Sequence, residues 1–154
     1  MKHKIVVTLT TLILCVACEE NRVYHHYCHT PIEGWEKVEA LSFEVSPLAQ
    51  AGRYATNLEL RTNNSYPYMS LALIVEQTVY PSMKQRVDTL MCPLVDSRGN
   101  AKGNGVSYCQ YRFTVSQTQL RKADSLHIVV RHNMQRDILP GIADVGIAVD
   151  KVDK

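Results

Sequence analysis

Apolar and polar residues alternate with period two along much of the chain. Leu41, Phe43 and Val45 alternate with Ser42 and Glu44, and Tyr54, Thr56, Leu58 and Leu60 alternate with Arg53, Asn57, Glu59 and Arg61. Successive side chains of a strand point to opposite faces, so each segment predicts a strand with one buried and one wet face. The run from Leu71 to Val79 is less polar and predicts a central strand, with Leu71, Leu73, Val75 and Val79 inward and Ala72, Ile74, Glu76 and Thr78 outward. Val87 to Val95 contains Pro93, which lacks a ladder donor and so points to an edge or a bulge. Gly99, Gly103 and Gly105, with Asn100 and Asn104, mark Asp96 to Gly105 as a loop. Cys109, Tyr111, Phe113 and Val115 then alternate with Tyr108, Gln110, Arg112 and Thr114, predicting another hairpin arm. Leu126, Ile128 and Val130 mark a further strand, and Val145, Ile147 and Val149 the last.

Ser116 to Ala123 breaks the alternation. Ser116 followed by Gln119 fits a capping box and predicts one or two helical turns. About seven or eight short strands, joined by connections too short for crossover helices, predict an all-β fold. We expect a single antiparallel β-sandwich, jelly-roll-like, over residues 37–154. Residues 18–36 are polar and rich in His and Tyr, and read as a tether that becomes ordered near Trp35. The sequence shows no repeat or low-complexity tract.

The N-terminus changes the picture. Lys2 and Lys4 precede an apolar run from Ile5 to Val16, followed by Ala17-Cys18. The run is too short to span the roughly 30 Å of a bilayer core and has the layout of a secretory signal. A cysteine directly after the small Ala17 is the lipoprotein arrangement, so residues 1–17 are expected to be removed and Cys18 to carry lipid. Resemblance to bacterial lipoprotein signals implies a diacylglycerol thioether there and a further acyl chain, palmitate among the candidates, on the new amino terminus. Several chains, each contributing about 0.8 kcal/mol per buried CH₂, make a stable anchor. The familiar signal has Leu three residues before the cysteine; here Cys15 holds that place and Leu14 lies one further away.

Cleavage also resets the charge. The 17 basic residues less Lys2 and Lys4 leave 15, against 15 acidic ones. A balance near zero excludes the basic footprint of a nucleic-acid binder. The 154 residues less the first 17 leave 137, enough for one domain. Outside the cytoplasm disulfides are permitted, and Cys28, Cys92 and Cys109 remain after Cys18. Cys92 and Cys109 fall on the apolar faces of their strands, as a buried pair of thiols or as a bridge.

Candidate chemistry is sparse. His25, His26, Cys28 and His29 are the densest set of zinc-ligand types, but they crowd into five residues and lack the usual ligand spacings, so no metal or other cofactor is expected. His127 and His132 have opposite parity on one strand, and His132 is expected inward and hydrogen-bonded near its end. Asp88, Asp96 and Asp144 have no partner nucleophile in sequence, and neither G-x-S-x-G nor H-E-x-x-H occurs, so no catalytic residue is assigned. Trp35, Tyr66, Tyr68, Tyr80 and Tyr108 supply rings suited to protein contact or to stacking on sugars, or to closing the ends of a sandwich. Asn63-Asn64-Ser65 matches a glycosylation sequon, with little meaning in the inferred compartment.

Several landmarks fall in one order: the lipidated cysteine, Trp35, Tyr66-Pro67-Tyr68, Pro81, Asp88-Thr89-Leu90, Leu94 to Asp96, the Gly99 to Gly105 loop, Arg131, and Gly141 to Ile147. In these the chain resembles the GldH family of gliding-motility lipoproteins of Bacteroidota over nearly all its mature length. The resemblance implies an envelope lipoprotein, needed for gliding in gliding members and without an assigned enzymatic activity. The chain departs from the family in a shorter stretch between Arg131 and Gly141 and in its His-rich start. Asp88-Thr89-Leu90 and Asp124-Ser125-Leu126 also resemble the periplasmic O-glycosylation acceptor of that phylum, and Glu19-Glu20 its acidic surface-export signals. The expected role is a non-catalytic component of an envelope complex linked to gliding or secretion, most naturally at the outer membrane; the alternative is a carbohydrate-binding lipoprotein using Trp35, Tyr66 and Tyr68.

Strand parity adds one expectation. If Leu126, Ile128 and Val130 face the core, then His127, Val129 and Arg131 face outward, and an arginine beside exposed apolar area is a common interface element. Arg131 and the loop from His132 to Ala143 are therefore expected at a protein-binding edge, with an intramolecular pair to Asp144 as the alternative.

Overall fold

Strand pairing turns the alternation into two sheets. The computed structural model describes residues 21–152. The strands are β1 (Arg22–His29), β2 (Trp35–Glu36), β3 (Leu41–Val45), β4 (Gly52–Thr62), β5 (Ser70–Tyr80), β6 (Lys84–Pro93), β7 (Cys109–Leu120), β8 (Ser125–His132), β9 (Ile138–Leu139) and β10 (Ile142–Val152). The first sheet has the order β1-β10-β4-β7 and the second β3-β8-β5-β6, while β2 and β9 pair as a separate ribbon. All pairings are antiparallel. This order of eight strands is that of a jelly roll, so the expected sandwich holds, with ten strands among the described residues. Among the described residues no helix is long and apolar enough to cross a membrane.

The core lies between the sheets. Leu58, Leu60, Val145 and Ile147 of the first meet Phe43, Leu71, Leu73, Val75, Ile128 and Val130 of the second, all of them buried. Each such side chain contributes about 1.5–3 kcal/mol on burial, which is what fixes the register against a one-residue slip.

Two expectations about the extent of the strands change. The sandwich begins at Arg22, not at 37, because residues 22–29 form β1 along the edge of β10. Tyr24 and Cys28 of that strand pack toward the core with His26 between them, and aliphatic side chains are few, so the apolar period is missing although the strand is present. The expected helical turns at Ser116 to Ala123 are also strand, since β7 runs to Leu120. The pairs Thr56 with Ser116 and Asn57 with Thr114 leave Val115 as an extra residue, a β-bulge. The bulge resets parity, so Ser116 and Leu120 both face inward at a spacing of four, which imitates a helical period. The Ser116 hydroxyl does not cap a helix but accepts from Gln77 Nε2 at 2.9 Å inside the sandwich.

Cys28, Cys92 and Cys109 are free thiols. Cys92 is fully buried, and burial pushes its thiol up to about 12. His132 is inward as expected but not hydrogen-bonded: its ring nitrogens approach the backbone of Trp35 and Asp137 without reaching a bond of ordinary geometry. Burial lowers its pKa and favours the neutral ring.

Candidate functional site

The outer face of the first sheet is a lattice of polar side chains. Reading across β1, β10, β4 and β7, its rows are His25, Ala148, Asn57, Thr114; then Tyr27, Gly146, Glu59, Arg112; then His29, Asp144, Arg61, Gln110. Gly146 makes the central row possible. A Cβ there would come within 2.6 Å of the Tyr27 ring, so the missing side chain lets the ring lie across β10 and donate its hydroxyl proton to Glu59 Oε2.

Glu59 is the hub, only 4% exposed although it faces outward. His25 Nε2 lies 2.8 Å from Oε2, and Arg112 donates to Oε1 at 3.0 Å. Asp150 accepts from Arg112, from Asn57 Nδ2 at 2.9 Å and from Arg22 Nε at 3.0 Å. Burial is the largest single influence on Glu59 and raises its pKa, but hydrogen bonds from Tyr27 and His25 and the charges of His25 and Arg112 together outweigh it. The carboxyl is held below its ordinary range. Tyr27 is pushed up to about 12, first by burial and then by its bond to Glu59, so its phenol stays protonated. The Arg61 guanidinium stacks over the Tyr27 ring at 4.4 Å and, with His29, flanks Asp144.

This lattice answers the question of the His-rich segment. His25 and His29 point to different carboxylates on the outer face, His26 lies edge-on to Phe43 at 6.3 Å, and the Cys28 thiol turns toward the Ser42 carbonyl. Alternation along β1 sends the four candidate ligands to two sides of the sheet.

The outer face of the second sheet is different. Its rows across β3, β8, β5 and β6 include Ser42, Val129, Glu76, Val87 and then Arg131, Ile74, Thr89, with Met91 beside Ala72. Val87 and Met91 are 63% and 65% exposed. Arg131 faces outward, as parity indicated, with the half-buried Val129 and Ile74 beside it and the exposed Val87 and Met91 on β6, two strands away. Its ion-pair partner is Glu76 on the neighbouring strand, while Asp144 belongs to the other sheet. Thr89 is exposed on this face, and Ser125 is half-buried at the start of β8 opposite Tyr80.

The aromatic candidates part company. Trp35 is fully buried, donates from Nε1 to the Glu39 carbonyl at 3.0 Å and meets the His132 ring edge-on at 5.2 Å. It therefore offers no surface to a partner: the short β2–β9 ribbon folds it under the sandwich, which an isolated Trp in a polar stretch does not reveal. Tyr66 and Tyr68 are half-buried and form an edge-to-face pair at 5.6 Å, with the Tyr66 hydroxyl donating to the Ser70 carbonyl. Burial raises the Tyr66 pKa. Gly141, at φ +80°, sits against this loop, and a Cβ there would lie 2.1 Å from the Tyr66 backbone nitrogen. Tyr66-Pro67-Tyr68 and Gly141 to Ile147 thus meet in space: one end locks the tyrosine loop, and Asp144 and Gly146 build the polar lattice. Cys18 lies outside the described residues.

Sequence reasoning missed Tyr27, Glu59, Arg112 and Asp150. Their outward parity was legible for Glu59 and Arg112, but which strands would lie side by side was not.

The fold and its faces define an all-β sandwich with one ionically closed face and one partly apolar open face. A family model described as GldH lipoprotein matches residues 22–149, and the chain belongs to that family. It is similar to the gliding motility lipoprotein GldH of Flavobacterium johnsoniae, 25% identical and covering 96% of both chains. It is also similar to a gliding motility lipoprotein GldH homolog of Christiangramia forsetii, 31% identical over 93% of this chain and 92% of that one. Among solved structures, one from Sulfurospirillum deleyianum covers 85% of this chain and 99% of its own at 6% identity, with a TM-score of 0.44.

Proposed function

We propose that the protein is a cell-envelope lipoprotein, cut before Cys18 and held through lipid on that cysteine at the outer membrane. Its sandwich serves as a non-catalytic binding component of an envelope complex for gliding or for secretion linked to gliding. The family and the names of its relatives support the setting. The observation that carries the binding role is the open face of the second sheet, where the exposed Val87 and Met91 of β6 share a face with the half-buried Val129 and Ile74 that neighbour Arg131. Exposed apolar area beside arginine is the composition of a protein contact, whereas the other face is saturated by its own ion pairs. A carbohydrate-binding role loses its largest ring, because Trp35 is buried.

A photoreactive residue placed at Val129 should capture an envelope protein in living cells, while the same residue at Thr114 on the closed face should not. Equal capture from both, or none from Val129, would remove this face from the proposal. Anchoring is checked separately: Cys18→Ala should abolish incorporation of labelled fatty acid, and unchanged labelling would refute attachment at that residue.

A further inference from the structure

At one end of the sandwich the sheets part between β6 and β7, two edge strands that share no ladder. A cleft of about 450 Å³ opens there, a volume in the range of small-molecule sites. Its floor is polar within the core. Thr56 of β4 donates to Gln77 Oε1 at 2.9 Å, Gln77 Nε2 donates to Ser116, and all three residues are buried. This trio satisfies itself across the two sheets. Tyr54, Leu120 and Leu126 form apolar walls, and Thr118 and Gln85 add polar groups nearer the mouth.

The mouth is cationic. Lys84, Arg86 and Arg121 line it. Arg86 is neutralised by a bidentate pair with Asp88, at 2.7 and 3.0 Å. The side chains of Lys84 and Arg121 have no ion-pair partner among the described residues. Asp124 is the acidic residue of the lining, and its carboxylate is engaged in closing the β7–β8 turn by accepting from the Arg121 backbone nitrogen at 2.8 Å. Two free cations over an interior of hydroxyl, amide and apolar groups match a ligand with a compact anion at one end and a hydroxylated body.

We propose that this cleft binds a phosphate-bearing polyol, a glycerol or sugar phosphate, with the phosphate between Lys84 and Arg121. Such a group comes either from a lipid headgroup or free in solution. The lipid source is within reach if Cys18 is the anchor: β1 enters at this same end, where Arg22 pairs with Asp150, and Gly52 of β4 pairs with Leu120. The four residues from Cys18 to Arg22 span at most about 14 Å, which keeps this end of the sandwich close to the headgroups; the cleft lies across the sheet from β1, three strand spacings or about 14 Å away.

The test uses the mature lipidated protein in nonionic detergent micelles, titrated calorimetrically with phosphatidylglycerol, with phosphatidylcholine and with free glycerol 1-phosphate. Binding of phosphatidylglycerol alone identifies a lipid source, and comparable binding of glycerol 1-phosphate a soluble one; either result supports the cleft. Lys84→Gln and Arg121→Gln should each weaken binding about tenfold, the loss of one hydrogen bond to a charged group, with an unchanged melting temperature because both residues are exposed. Arg136→Gln, in the β8–β9 loop, should change nothing. The proposal is overturned if neither polyol phosphate binds, if phosphatidylcholine binds equally, or if Arg136→Gln weakens binding as much as the two mouth variants do.

Discussion

Trp35→Ala should destabilise the fold by about 4 kcal/mol, the usual cost of emptying a large aromatic site in a core. The ring is fully buried, its residue pairs with Leu139 in the β2–β9 ribbon, and its indole N–H is engaged by the Glu39 carbonyl. Domains of this size are stable by roughly 5–15 kcal/mol, so the substitution removes a large share. Trp35→Phe keeps most of the apolar volume and loses the indole bond, and should cost less than half as much. Trp35 is the only tryptophan of the chain, so the comparison needs urea unfolding followed by circular dichroism, not by fluorescence. A loss under about 1 kcal/mol for Trp35→Ala would mean that the ring is no part of the core.

Glu59→Ala should cost about 1–3 kcal/mol at neutral pH, with a signature in its pH dependence. Removing one member of a buried pair costs about 3–5 kcal/mol when the other charge stays buried. Here the Arg112 side chain is 42% exposed and keeps Asp150, so solvent relieves part of the penalty. The sign of the pH effect follows from the lowered pKa of Glu59. A carboxyl held below its ordinary 4.5 binds protons less readily when folded, so its stabilisation is complete above that value. It is lost as pH falls through the folded pKa. Urea midpoints of parent and variant should therefore differ most near pH 7 and converge in acid below 4.5. A gap of constant size down to pH 3 would assign the effect to packing and not to the ionised carboxylate.

Both predictions concern residues whose role the chain alone obscures. Trp35 read equally as a contact ring and as a ring closing an end of the sandwich; it is buried because a two-residue ribbon, too short to leave a period, closes over it. Glu59 read as a solvated position on a wet face. It is buried because Gly146 on the adjacent strand lets Tyr27 cross from β1, and Arg112 covers the other side.

What the sequence determined by itself is what local periodicity encodes. The all-β class, the inward sets on β3, β5 and β8, the edge character of the Pro93 strand and the outward placement of Val129 and Arg131 follow from alternation, because one buried face demands apolar residues at every second position. Only the tertiary structure decided which strands became neighbours. That choice made Glu76 the partner of Arg131, brought Gly141 against Tyr66, and set Glu59 between Tyr27 and Arg112, all pairs distant in the chain. It also decided the bulge at Val115, which shifts parity by one residue and turns a helix-like spacing into strand. Hydrophobic period is a property of single segments, whereas lateral pairing depends on how the whole core closes, and the ionic lattice and the cleft exist only after it has closed.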